Sequence, residues 1–256
     1  MKNQNKKMKP VRTLIELENV SKSYGSKPAV RNLTLAVRAG EVFTFLGPNG
    51  AGKTTSIKML AGLLRADRGT IRIDGLNIDH RGVAARARIA YVPDHPFVYE
   101  KLTGREFIGF VGRMHGLTQT ELREAMDYWI HRFDMEDYAD ELTSDYSHGM
   151  KQKTVLASTL LYRPRVLLVD EPMVGLDPRM NRLVRDVFRE LAAGGAALFV
   201  STHTLDVAEE IADRIGIIHH GQLISEGPLD DLRRHNGSKQ SLEEMFLQLT
   251  DEAQRN

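Results

Sequence analysis

Residues 47–55 read Gly-Pro-Asn-Gly-Ala-Gly-Lys-Thr-Thr. Gly47, Gly52, Lys53 and Thr54 complete the pattern G-x-x-x-x-G-K-[ST]. Each residue type has a physical reason to be there. Glycines let backbone N–H groups approach phosphate oxygens closely, and a helix starting at this point adds the positive end of its dipole. Lys53 is expected on the β- and γ-phosphates of a nucleoside triphosphate, and the Thr54 hydroxyl on Mg2+. Pro48, Asn49, Gly50, Ala51 and Thr55 fill out the nucleotide-binding loop.

A second pair of groups suits the same ligand. Residues 166–169 are all apolar, and Asp170 and Glu171 follow directly. A parallel strand in an open sheet delivers such residues to a ligand at its carboxyl end. Asp170 is therefore expected at Mg2+, directly or through water. Glu171 is expected at the attacking water, which a general base must reach within hydrogen-bond distance. Asp-Glu by itself would be an ordinary solvated strand end; the glycine loop gives the pair something to act on.

These residues need a sheet to hold them. Residues 41–46 make a short buried strand ahead of the loop, and 54–64 an amphipathic helix behind it. Residues 13–20 and 29–37 alternate apolar and polar, as half-buried strands do. After a turn at 67–70 comes a strand at 70–74, and another at 89–92 ends on Pro93-Asp94. From 103 to 162 the pattern is helical. Thr103 with Glu106 and Thr118 with Glu121 form capping-box signals, and Phe107, Phe110, Tyr128, Trp129 and Phe133 are expected to pack. The α/β pattern resumes with a helix at 178–193, a buried strand at 196–201, a helix at 205–212, and a hairpin through His220-Gly221. Short helices near 229–234 and 242–249 flank a polar linker. The expected fold class is α/β, a P-loop NTPase core with a flanking antiparallel β subdomain and an inserted α-helical subdomain. The expected limits are a basic disordered tail at 1–12, a nucleotide-binding domain at 13–235 with its helical insert at about 95–162, and a linker and helix at 236–256.

Composition narrows the partners. The 256 residues carry 35 Lys plus Arg against 34 Asp plus Glu, a net charge of +1. That balance gives no support to wholesale nucleic-acid binding. With no cysteine, disulfides and thiolate metal sites are excluded. No apolar run approaches the ~18–20 residues that span a bilayer, and the basic start lacks the apolar core of a signal peptide.

Further motifs, in the right order, resemble the ATP-binding subunit of ABC transporters over residues 14–227. Tyr146-Ser147-His148-Gly149-Met150-Lys151-Gln152 is similar to that family's signature, usually Leu-Ser-Gly-Gly-Gln. Gly175-Leu176-Asp177-Pro178 resembles its D-loop, and Ser201-Thr202-His203 its switch histidine. Tyr24 resembles the aromatic residue that stacks on adenine. Pro93-Asp94 occupies the place of the Q-loop. His148 and Met150 depart from the signature, and Asp94 replaces the glutamine; a carboxylate can ligate Mg2+ but adds negative charge beside phosphates.

The resemblance implies ATP and Mg2+ as ligands and ATP hydrolysis as the reaction. His203 would touch the γ-phosphate or order Glu171. Ser147, His148, Gly149 and Met150 would face the ATP of a second ATPase subunit, identical or paralogous, in a head-to-tail dimer. Asp177 either bridges that dimer or simply caps the helix after it. Partner permease subunits would span the membrane, docking on the helical insert and the loop at 94–97. The chain would lie peripherally on the cytoplasmic face. The residues at 241–250 after the hairpin resemble exporter-type subunits. Other readings are a soluble ABC-type ATPase acting on ribosomes or DNA, and a nucleotide-controlled binding module. No guanine-reading N/T-K-x-D stands in the sequence, which favours ATP over GTP.

Overall fold

The computed structural model describes residues 12–229, 231 and 242–255, without the side chains of 251–255. The expected basic tail, the polar linker and most of the helix at 229–234 lie outside the described residues.

Two sheets frame the molecule. The first is antiparallel, in the order β2-β1-β4-β5, from β1 (Thr13–Tyr24), β2 (Lys27–Arg38), β4 (Arg68–Ile73) and β5 (Leu76–Asn77). The second has six strands in the order β10-β9-β3-β8-β7-β6. Its members are β3 (Val42–Leu46), β6 (Ile89–Val92), β7 (Val166–Asp170), β8 (Ala197–Thr202), β9 (Arg214–His219) and β10 (Gln222–Pro228). All its neighbours are parallel except β9 and β10, which form the expected hairpin.

The central strands β3, β7 and β8 are buried at every position, so they read as apolar runs rather than alternations. Phe43, Phe45 and Phe199 cluster between them, with ring centroids 5.3–6.3 Å apart. Burying each such side chain contributes about 1.5–3 kcal/mol. Helix α1 (Lys53–Leu60) follows the glycine loop.

The helical insert comprises α3 (Gly104–Met114), α4 (Gln119–Arg132) and α5 (His148–Leu160). Both expected capping boxes form: Thr103 with Glu106, and Thr118 with Glu121. Trp129 stacks on the fully buried Phe133 at 5.4 Å. Tyr128 departs from the packing expectation, being 52% exposed.

Helices α6 (Pro178–Ala193) and α7 (Leu205–Ile211) complete the core. The terminal helix α8 (Leu242–Arg255) buries Leu242 and Met245 in a cluster with Ile215, Ile217 and Leu46. Two short elements escaped the sequence reading, β5 and α2 (Gly82–Arg86), because each is too short to display a period. The turn expected at 67–70 is largely strand: Arg68 and Thr70 pair with Ser21 and Glu18 of β1.

Candidate active site

The glycine loop runs from the end of β3 into α1, held from two sides. Gly47 N–H donates to the Thr202 carbonyl at the end of β8 (3.2 Å), and the Ala51 carbonyl accepts from Gly221 N–H in the β9–β10 turn (2.9 Å). Close approach dictates glycine at both ends of the pattern. A Cβ on Gly47 would lie 2.4 Å from the Ile218 carbonyl oxygen. One on Gly52 would lie 2.5 Å from the Ala29 carbonyl oxygen, and Gly52 also sits at φ +111°. Few residues other than glycine tolerate that backbone.

Lys53 is buried, and Nζ donates to the carbonyls of Gly47 (2.7 Å) and Pro48 (3.2 Å) across the loop. Its ammonium is held below the usual lysine range, chiefly by burial; Glu171 and Asp170 pull the other way.

The two carboxylates project from the end of β7. Asp170 is 1% exposed and sits opposite Ser201 in the parallel register. Ser201 Oγ donates to Asp170 Oδ1, whereas Oδ2 is buried without a hydrogen-bond partner of good geometry among the described residues. Burial pushes this carboxyl up; the hydroxyls of Ser201 and Thr54 pull it down, and Asp94 and Glu171 add like charge. A bare buried carboxylate oxygen beside a threonine hydroxyl is a donor set that fits Mg2+. That ion prefers oxygen ligands and takes most of its shell from water and phosphate. No cluster of three or more His, Cys, Asp or Glu able to hold a metal occurs among the described residues.

Glu171 turns out of the strand at φ +51°. Its Oε1 lies 2.7 Å from His203 Nδ1 and 3.9 Å from Lys53 Nζ, and its Oε2 accepts from Thr202 Oγ1 at 3.0 Å. These groups open on a cleft of about 330 Å³, lined also by Asn49, Gly50, Gly52, Thr54, Thr55, Asp94, His95, Val174 and Ala29. Asp94 Oδ1 accepts from the His95 N–H at 2.8 Å.

Some of the expected residues stand apart from this cleft. Tyr24 pairs with Lys27 at the tip of the β1–β2 hairpin, 54% exposed and outside the lining. Ser147 is the N-cap of α5, its side chain accepting from Met150 N–H. Gly149 packs near the Gly175 carbonyl, and the His148 ring lies against Gly175 itself, so the signature-like turn touches the segment before α6. Asp177 caps α6, accepting from Met180 N–H at 2.9 Å with Pro178 at the first helical position. Of the residues that sequence reasoning missed, Ser201 and Thr202 are the most informative. The available signal was a pair of hydroxyls immediately before His203.

A family model described as ABC transporter matches residues 30–174. The chain belongs to the ABC transporter ATP-binding family. The daunorubicin resistance ATP-binding protein DrrA3 of Streptomyces coeruleorubidus is 39% identical to this ABC chain over 225 residues, 88% of this chain and 71% of that protein. The Nod factor export ATP-binding protein I of Paraburkholderia xenovorans is 39% identical over 213 residues, 83% of this chain and 70% of that one. A solved ATP-binding subunit of an ABC transporter superposes with a TM-score of 0.88 at 34% identity, covering 93% of this chain and 100% of its own. The ABC ATPase fold expected from the sequence is therefore the fold observed, and this chain is an ATP-binding ABC ATPase.

Proposed function

We propose that this chain hydrolyses Mg2+–ATP to drive export through separate membrane-spanning subunits. One arrangement carries the reading: Lys53 from the glycine loop and His203 after β8 converge on a single carboxylate oxygen, Oε1 of Glu171 at the end of β7. Residues 47–55 hold the triphosphate through backbone N–H groups and Lys53. Thr54 and Asp170 would hold Mg2+, with Asp94 at the edge of the same cleft; bound there, the ion offsets charge on the phosphate oxygens. Glu171 orients and deprotonates the attacking water, and His203 fixes Glu171 while facing the γ-phosphate. Tyr24, exposed at the hairpin tip, offers a stacking face for adenine.

Hydrolysis in this reading requires a second ATPase subunit. Ser147, His148, Gly149 and Met150 stand at the N-terminal turn of α5, outside this chain's own cleft lining, where N–H groups and the helix dipole suit an anion. They would complete the neighbour's site, with Asp177 beside them at the dimer interface. The functional unit spans 13–235, with the helical insert at 95–162 and the exposed Phe97 and Tyr99 as the docking face for the permease. Among the described residues no helix is long and apolar enough to cross a membrane. The chain would then act from the cytoplasmic face of the membrane. Relatives named for drug resistance and Nod factor export support the outward direction.

The test is Glu171→Gln in the full chain. ATP hydrolysis should fall by about 100-fold or more while a fluorescent ATP analogue still binds. Equal turnover in variant and wild type would overturn the assignment of Glu171 as the base.

A further inference from the structure

Two hydroxyls at the end of β8 answer two carboxylates at the end of β7. Ser201 Oγ donates to Asp170 Oδ1, and one residue later Thr202 Oγ1 donates to Glu171 Oε2 at 3.0 Å. Thr202 is 1% exposed, and each of its polar side-chain functions is committed. Its hydroxyl oxygen accepts the Thr204 N–H at 3.1 Å. An amide N–H can only donate and an ionised carboxylate can only accept, so the single hydroxyl proton must point at Glu171. The Thr202 carbonyl meanwhile accepts the Gly47 N–H at 3.2 Å. One buried residue thus ties together the start of the phosphate loop, the carboxylate proposed as base, and the turn that carries His203.

The conformation of Glu171 explains why such a tie is needed. Its φ of +51° is uncommon for a residue with a side chain and persists where surrounding structure over-determines it. Without a bond at Oε2, the carboxylate would be held only at Oε1, by the half-exposed His203 and the Lys53 ammonium 3.9 Å away.

We propose that Thr202 is a positioning residue for hydrolysis: its hydroxyl fixes the orientation of the Glu171 carboxylate. This rests on the role given to Glu171 above. The competing explanation is that the hydroxyl merely caps the Thr204 N–H and matters for folding alone.

Thr202→Val keeps the shape and removes the hydroxyl; Thr202→Ser keeps the hydroxyl and removes the methyl. Both would be compared, as full chains, with wild type and Glu171→Gln for steady-state ATPase, binding of a fluorescent ATP analogue, and Tm. A lost hydrogen bond to a charged group predicts a fall in kcat of about tenfold or more in Thr202→Val. Analogue affinity should stay within about twofold of wild type, and Thr202→Ser should recover kcat to within about threefold. Wild-type kcat in Thr202→Val, or a Thr202→Ser variant as impaired as Thr202→Val, would overturn the inference. If Thr202→Val does not fold, Thr202→Ala carries the same comparison. Glu171→Gln with wild-type turnover would defeat the base assignment itself, whereas an inactive Glu171→Gln beside a fully active Thr202→Val would defeat only the role of Thr202.

Discussion

His203 Nδ1 and Glu171 Oε1 lie 2.7 Å apart, joining the loop after β8 to the strand end of β7. The histidine is about half exposed and the glutamate nearly buried, with side-chain exposures of 47% and 14%. His203 therefore has one ring nitrogen engaged with the carboxylate while its other edge faces the cleft. On the function proposed above, His203 has two tasks, holding Glu171 and meeting the terminal phosphate. His203→Ala removes both. It should lower kcat by about tenfold to a hundredfold with ATP-analogue affinity nearly unchanged. A variant that loses analogue binding and keeps kcat would place His203 in ground-state binding instead.

Asp94 tests how much the cleft depends on the second residue after β6. The carboxylate caps the His95 N–H and is 45% exposed on its side chain. It also adds negative charge toward Asp170. A glutamine at this position could still accept a hydrogen bond and would relieve that repulsion. Asp94→Gln should therefore leave measurable ATPase activity, within about tenfold of wild type. Complete loss of turnover would show that the site depends on the carboxylate at this position.

How much of this was legible in the sequence depended on the kind of signal. The loop at 47–55 and the strand ending in Asp170 and Glu171 were readable because local rules dictate them: glycine where backbones crowd, an apolar run where both faces of a sheet are covered. Helix α6 matched its expected bounds, since Pro178 and Asp177 mark its start. Thr202 was not readable as a partner of Glu171, because that bond spans 31 residues and depends on the β7–β8 register. Tyr24 shows the converse. An exposed aromatic at a turn is visible in the sequence, yet whether it joins the cleft lining depends on where the fold puts the hairpin tip. The elements β5 and α2 were missed because two and five residues carry no periodicity to read.

Asp177 can be both a helix cap and an interface residue, and substitution separates the two roles. The cap is in place: Met180 N–H donates to Oδ1, and this bond is the largest influence holding the carboxyl below its usual range. Asp177→Ala should lower Tm by about 2–4 °C, the effect of a lost N-cap in a domain this size. Asp177→Asn should restore Tm, because asparagine caps as well as aspartate. If Asp177→Asn also restores ATPase activity, the cap accounts for the residue. If Tm recovers while activity and ATP-dependent dimerisation stay low, the charge acts at the interface.

The last prediction concerns the turn that braces the glycine loop. His219 closes β9, two residues before Gly221, whose N–H holds the Ala51 carbonyl at 2.9 Å. The imidazole is buried, its Nδ1 has no hydrogen-bond partner among the described residues, and the His220 ring lies 4.1 Å away. Burial, and secondarily His220, hold His219 below the ordinary histidine range. The sign follows directly. As pH falls through about 6.5, the unfolded chain takes up this proton while the folded protein resists it. Stability is thus intact above that pH and is lost progressively below it. His219→Leu removes the titrating group from a buried strand position. Tm measured from about pH 8 to about pH 5 should converge with wild type at the high end and exceed it at the low end. Parallel Tm curves across the range would show that this histidine contributes nothing to acid sensitivity.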